Sequence, residues 1–117
     1  MTERMPRINE LIQQQVAKII EEEYETQDVG LVTVSKVETT NDLRDAKVWV
    51  SVLGHDEDAT LKRLRHDVRD IQGDLAKRVF MYRIPKLHFR LDTSLQYVER
   101  IEQLLREEEK GSEKHHE

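Results

Sequence analysis

The stretch Arg44 to Leu53, RDAKVWVSVL, alternates without a break. In an extended chain Ala46, Val48, Val50 and Val52 fall on one face, and Lys47, Trp49, Ser51 and Leu53 on the other. A strand with one apolar face needs that face covered, while the polar face can stay wet. The cover has to come from the rest of a chain of only 117 residues, a length that suits one domain.

The flanking segments supply it. Ile8, Leu11, Ile12, Val16, Ile19 and Ile20 recur mostly at spacings of three and four, the period of an amphipathic helix. Pro6 sits in its first turn, where proline is tolerated. The pattern fades in the acidic run Glu21 to Glu25 and should end before Gly30. Leu31 to Thr40, LVTVSKVETT, is rich in valine and threonine and reads as a strand. Asn41 and Asp42 are turn formers, so this strand and the alternating one form an antiparallel hairpin. Gly54 closes the hairpin, and His55 to Asp58 place acids at a helix N-terminus, where the dipole favours them. Leu61, Leu64, Val68 and Ile71 then run as a helical stripe, continued past Gly73 by Leu75, Ala76 and Val79. Pro85 forbids a helix and pushes Ile84 to an extended conformation. Lys86 to Thr93 alternates again, with Leu87, Phe89 and Leu91 on one face.

The chain therefore reads as an α+β domain: a three-stranded sheet with helices on one face. The third strand can pair with either edge of the hairpin, and the sequence does not choose. Ser94 is placed to cap a last helix whose stripe is Leu95, Val98, Ile101, Leu104 and Leu105. That stripe is expected to pack on the domain, with a partner-binding helix as the other reading. Residues 1–106 are expected to form the domain, and the acid-rich residues 107–117 a disordered tail.

Hydrophobic and charged residues each make up 37% of the chain, and aromatic residues only 5%, so the core must be mostly aliphatic. There is no cysteine, which excludes disulfides and thiolate metal sites. No apolar run approaches the roughly 20 residues of a membrane span, and no apolar signal region is evident. A soluble, cytoplasmic protein with no membrane contact is expected.

The net charge is −5, but it is divided unevenly. From Lys62 to Arg90 there are nine Lys/Arg and three Asp, a balance of +6; the remaining ten cations and 21 acids give −11. A basic segment in an acidic protein is the mark of a directed electrostatic face. Gly73 lies within it. A helix-interior glycine costs about 1 kcal/mol relative to alanine. It serves either close packing of another element or a break in the helix. A break would expose backbone amides that attract phosphate, with Arg65, Arg69, Lys77 and Arg78 close by.

The αββααβ order resembles that of type II KH domains, whose GxxG loop between two helices clamps a nucleic-acid backbone. Here Asp70-Ile71-Gln72-Gly73-Asp74 contains no GxxG. Four stretches carry a narrower likeness: RINELIQQQVAKII (Arg7 to Ile20), NDLRDAKVWVSVLG (Asn41 to Gly54), the junction ending in Gly73 with LAKRVFMYRIP after it, and IPKLHFRLDTS (Ile84 to Ser94). Together, over roughly residues 4–106, the chain resembles bacterial ribosome-binding factor A. The resemblance implies a KH-like domain with a kinked helix pair in place of the GxxG loop. Gly73 matches the glycine of the family's alanine-x-glycine kink, and Ile71 stands where the pattern has alanine. It also implies an assembly factor, not an enzyme. Such a factor binds the immature small ribosomal subunit and its rRNA, assists late maturation and rRNA end processing, and matters most in the cold. A GTPase helps it leave.

Within that reading the candidates for RNA contact are Lys62, Arg63, Arg65, Arg69, Lys77, Arg78, Arg83, Lys86 and Arg90, with Gln72 and Gly73 shaping the kink. A monomer without cofactor is expected. Asp42, Asp45 and Asp92 lie near strand ends and suit turn and cap roles better than catalysis. His55, Asp56 and Asp58 make a poor metal site, closely spaced and lacking a fourth ligand. His66 and His88 read as surface or packing residues, and His115 and His116 fall in the tail. There is no P-loop, nucleophile elbow or HExxH. Trp49 serves either as a packing residue or as a base-stacking one, while Phe80, Tyr82 and Phe89 are expected in the core or at its edge. The alternative function is a protein–protein interaction module of the same fold, using the open face around Trp49 and the last helix.

Overall fold

The computed structural model describes residues 4–94 and 102–106. Helix α1, Arg4–Glu23, is followed by a single turn α2, Thr26–Val29, then β1, Leu31–Thr39, and β2, Asp45–Leu53. Helices α3, Glu57–His66, and α4, Val68–Arg78, lead to β3, Lys86–Leu91. The turn α2 is an addition to the sequence reading. It buries Val29 and delivers the chain to β1 through Gly30, whose φ of 80° and ψ of −172° lie in a region open essentially to glycine alone.

The sheet order is β1-β2-β3. β1 and β2 form the expected antiparallel hairpin. β3 joins the free edge of β2 in parallel, with Ala46 beside Leu87, Val48 beside Phe89 and Val50 beside Leu91. The helix pair α3–α4 is the crossover that a parallel pairing requires. The two alternating runs thus place their apolar faces on the same side of the sheet. Against that side pack Ile12, Val16 and Ile19 of α1, Leu61 and Leu64 of α3, and Ile71 and Leu75 of α4. Among the described residues the buried hydrophobic side chains are aliphatic except for Phe89, which is 1% exposed.

β1 departs from simple alternation. Val34 and Val37 are three apart, yet both are buried. A bulge between Val34 and Lys36 absorbs the extra residue and restores the inward face. The turn that follows uses Asp42 as expected: its carboxylate accepts from the Thr40 hydroxyl at 2.7 Å and the Arg44 amide at 3.1 Å. Leu43 takes a left-handed conformation, φ 60°, to close it. At the start of α3, Asp56 accepts from the Ala59 amide at 2.9 Å, a normal N-cap.

Helix side chains occupy both outer edges of the sheet. On β1, Asn9 Oδ1 accepts from the Thr39 amide at 2.9 Å and Gln13 Nε2 donates to the Val34 carbonyl at 3.0 Å. On β3, Gln72 Oε1 accepts from the Leu87 amide at 2.9 Å, and Arg65 donates twice to the Phe89 carbonyl, at 2.9 and 3.2 Å. Occupied edges do not recruit further strands.

Residues 102–106 are helical. Leu104 and Leu105, expected to pack on the domain, are 54% and 55% exposed. Leu95, Val98 and Ile101 of the same stripe, and the acidic tail 107–117, lie outside the described residues.

Candidate nucleic-acid interface

The helix pair is present, but its bend is not at Gly73. α3 ends and α4 begins at Asp67, six residues earlier, where φ is −93° and ψ 11°. The backbone ladder runs through this residue: its amide donates to the Arg63 carbonyl and its carbonyl accepts from the Ile71 amide, both at 3.1 Å. Only the local dihedrals change, so the junction is a tight kink that any L-residue tolerates. Asp67 is held from two sides. The Tyr24 hydroxyl donates to its carboxylate at 2.7 Å and Arg63 Nε at 3.2 Å, with the guanidinium 5.5 Å from the Tyr24 ring centroid. These bonds, the tyrosine's first, hold the Asp67 carboxyl below its usual range. Burial, with the carboxylate beside it, raises the Tyr24 phenol.

Gly73 lies inside α4, exposed, and a Cβ added there would meet nothing within 4 Å. Neither close packing nor a break explains it. It stands between Arg69 and Lys77 at spacings of four, on one outward stripe of the helix. The opposite face carries Ile71 and Leu75 into the core. Asp70 and Asp74 follow the stripe one position on, which turns them about 100° around the axis.

The eleven expected contact residues do not form one face. Arg63 belongs to the Asp67 cluster. Arg65 and Gln72 hold the β3 edge, so Gln72 ties helix to strand and does not shape a kink. Arg78 is paired with Glu22 of α1, which lowers the Glu22 pKa and raises that of Arg78, each chiefly through their shared hydrogen bond. Lys62, Arg69, Lys77, Arg83, Lys86 and Arg90 have no carboxylate partner among the described residues. Of these, Arg69 and Lys77 flank Gly73, and Arg83 follows in the loop after α4.

Lys86 and Arg90 point the other way. They alternate with the buried Leu87 and Phe89, on the sheet face opposite the helices. That face also carries Lys47 and Trp49, the latter beside Arg90 in register and 5.4 Å from Lys36 Nζ. A shallow depression there is lined by Glu38, Thr39, Thr40, Asp45, Lys47, His88 and Arg90, and His88 Nε2 lies 2.8 Å from Asp45 Oδ1. Its mixed charge suits phosphate less well than the α4 stripe does. A second groove follows the β3 edge, lined by Arg65, Val68, Leu87, His88, Phe89 and Arg90.

The remaining acids near strand ends are structural. Asp92 accepts from the Ser35 hydroxyl at 2.6 Å and the Ser94 amide at 3.0 Å, which fastens the end of β3 to the β1 bulge and lowers the Asp92 carboxyl. His55 Nδ1 lies 3.1 Å from the Thr60 hydroxyl, which donates to the Val29 carbonyl.

Phe80 and Tyr82 overturn an expectation. The sequence places them, like Phe89, in the core or at its edge, but they are 105% and 90% exposed. Val79, Met81 and Ile84 of the same loop do pack on the core. From Val79 to Tyr82 the residues therefore alternate between inside and outside, though all four are apolar and the sequence does not mark which face turns inward.

A model of the family described as Ribosome-binding factor A matches residues 4–105. The chain belongs to the ribosome-binding factor A family. Ribosome-binding factor A of Desulfitobacterium hafniense is 37% identical over 119 residues, 97% of this chain and 95% of the relative. That of Thermomicrobium roseum is 39% identical over 106 residues, 89% and 82% of the two chains. The crystal structure of ribosome-binding factor A from Thermus thermophilus superposes with a TM-score of 0.69 at 25% identity, covering 74% of this chain and 94% of that one. A Thermus thermophilus ribosome binding factor A homology model, fitted into a cryo-EM map of a 30S complex, gives a TM-score of 0.62 at 29% identity, covering 71% and 89%. Family membership accounts for the KH-like order of the elements. The helix kink at Asp67 and the aromatic loop come from this chain's own geometry.

Proposed function

We propose that the protein is an assembly factor of the small ribosomal subunit. It binds the immature subunit and its rRNA stoichiometrically and assists late maturation and rRNA processing, with no covalent step of its own. The observation that carries this reading is membership of the ribosome-binding factor A family along almost the whole chain. The fitted 30S complex of the Thermus relative supports the same partner here. The geometry of α4 supports contact on its outward stripe. Arg69 and Lys77 leave α4 on either side of a glycine that offers no side chain, so a phosphate backbone can approach the helix closely between two cations. Release by a GTPase, action as a monomer in the cytoplasm and greatest need in the cold belong to the same reading.

The test is cosedimentation of the full chain with immature and mature small subunits across a salt series. Contact through n phosphates of single-stranded RNA gives a log–log slope near −0.7n, about −2 for three. Binding should prefer immature particles, and R69E/K77E/R83E should weaken it at least tenfold while reducing the slope. Salt-insensitive binding that survives the triple substitution would instead place the contact on a protein, through the face around Trp49.

A further inference from the structure

Two of the chain's six aromatic residues stand in water on one loop, Phe80 at 105% exposure and Tyr82 at 90%. The loop is not loose. Val79, Met81 and Ile84 pack on the core on the inner side, and Pro85 is fully buried at its end. Anchors that alternate with the rings fix them outward, so two planar apolar groups are held ready at little further entropic cost. A chain with so few aromatics gains most by burying them, and these two are withheld from its own core.

The surroundings say what should cover them. From Leu75 to Leu91 the sequence has five Lys/Arg and neither Asp nor Glu. Lys77 precedes the rings on α4, and the Arg83 guanidinium lies 6.0 Å from the Tyr82 ring centroid. Cations interleaved with exposed rings suit a ligand with negative backbone and flat, uncharged faces. Unpaired RNA has both, repeated at every nucleotide. We infer that Phe80 and Tyr82 form a stacking platform for unpaired bases of the bound RNA, with Lys77 and Arg83 on the adjoining phosphates. This rests on the proposed binding to rRNA and names the kind of rRNA contacted: bases outside helices, read by their faces and not by sequence.

The experiment compares the full-length wild type with F80A/Y82A, F80L/Y82L and the ring-preserving swap F80Y/Y82F. Affinity for immature small subunits is measured over a salt series, and base-specific alkylation of the rRNA is mapped in the same complexes. Circular dichroism confirms folding, which substitutions at fully exposed side chains should not disturb. Stacking of even one base predicts at least a fivefold affinity loss in the alanine and leucine variants, since each stacked base contributes about 1–3 kcal/mol. The salt slope should hold, because no phosphate contact is lost, and wild type should protect unpaired bases that both variants leave reactive. The swap should restore affinity and protection. Unchanged affinity and protection in F80A/Y82A would overturn the inference. So would a leucine variant that binds like wild type, because apolar packing against a protein would then suffice. Failure of the wild type itself to bind subunits would instead remove the functional reading beneath it.

Discussion

The two glycines Gly30 and Gly73 are opposite cases. A Cβ at Gly30 would lie 2.6 Å from the Leu53 carbonyl oxygen and 2.8 Å from the His55 Cβ, on a backbone with φ 80°. Gly30→Ala should therefore cost at least about 2 kcal/mol, from backbone strain of roughly 1–3 kcal/mol with the clash added. Gly73→Ala should stabilise by about 0.5–1 kcal/mol, because the helix gains alanine's propensity and the methyl group meets nothing. Urea unfolding of the two variants tests both signs. If Gly73 is kept for close approach of an RNA backbone, the stabilised variant will bind small subunits less well. Asp67 gives a prediction in pH. Its folded-state pKa is depressed, so its contribution is complete above the ordinary carboxylate range near 3.9 and is lost as pH falls through the folded value. Asp67→Asn keeps the shape and removes the charge. Its stability should vary less than the wild type's on the acid side of pH 4, as followed by thermal melts.

At the scale of elements, the polar residues of the basic segment serve different parts of the fold. The sequence offers Arg65 to phosphate, but in the fold it donates to the Phe89 carbonyl on the outer edge of β3. Gln72 holds the Leu87 amide on the same edge. Arg65→Ala and Gln72→Ala should each lower stability by about 1–3 kcal/mol, since each leaves a strand-edge group without its partner. Lys77→Ala should leave stability within about 0.5 kcal/mol of wild type and act on binding alone. Unfolding curves beside subunit cosedimentation separate the two classes. The helix pair shows how far local pattern reaches. The apolar stripe from Leu61 to Leu75 located both helices, but the break falls at Asp67, where no glycine or proline marks it. Both helices bury their apolar residues in one core, and the bend falls between them at Asp67.

For the whole molecule, the excess of +6 between Lys62 and Arg90 is real as composition but is dispersed by the fold. Arg63, Arg65 and Arg78 are engaged within the domain, and Lys86 and Arg90 face away from α4. The salt slope of subunit binding should therefore reflect only a few phosphates, well below the nine that the sequence count would suggest. A slope near −6 would mean that the internal pairs open on the ribosome.

The sequence by itself determined every element but the short turn α2, the inward faces of β2 and β3, the Asp42 turn and the family. Each of these rests on short-range periodicity or on turn chemistry, which a few neighbouring residues decide. The bulge in β1 was also present, in the three-residue spacing of Val34 and Val37. Tertiary structure alone decided that β3 joins β2, since either hairpin edge offered the same backbone partners. It also decided where the helices bend, which cations are spent on strand edges and carboxylates, and that Phe80 and Tyr82 meet solvent. Those outcomes depend on what lies across from a residue in space. The chain specifies that only when the core around Phe89 has closed.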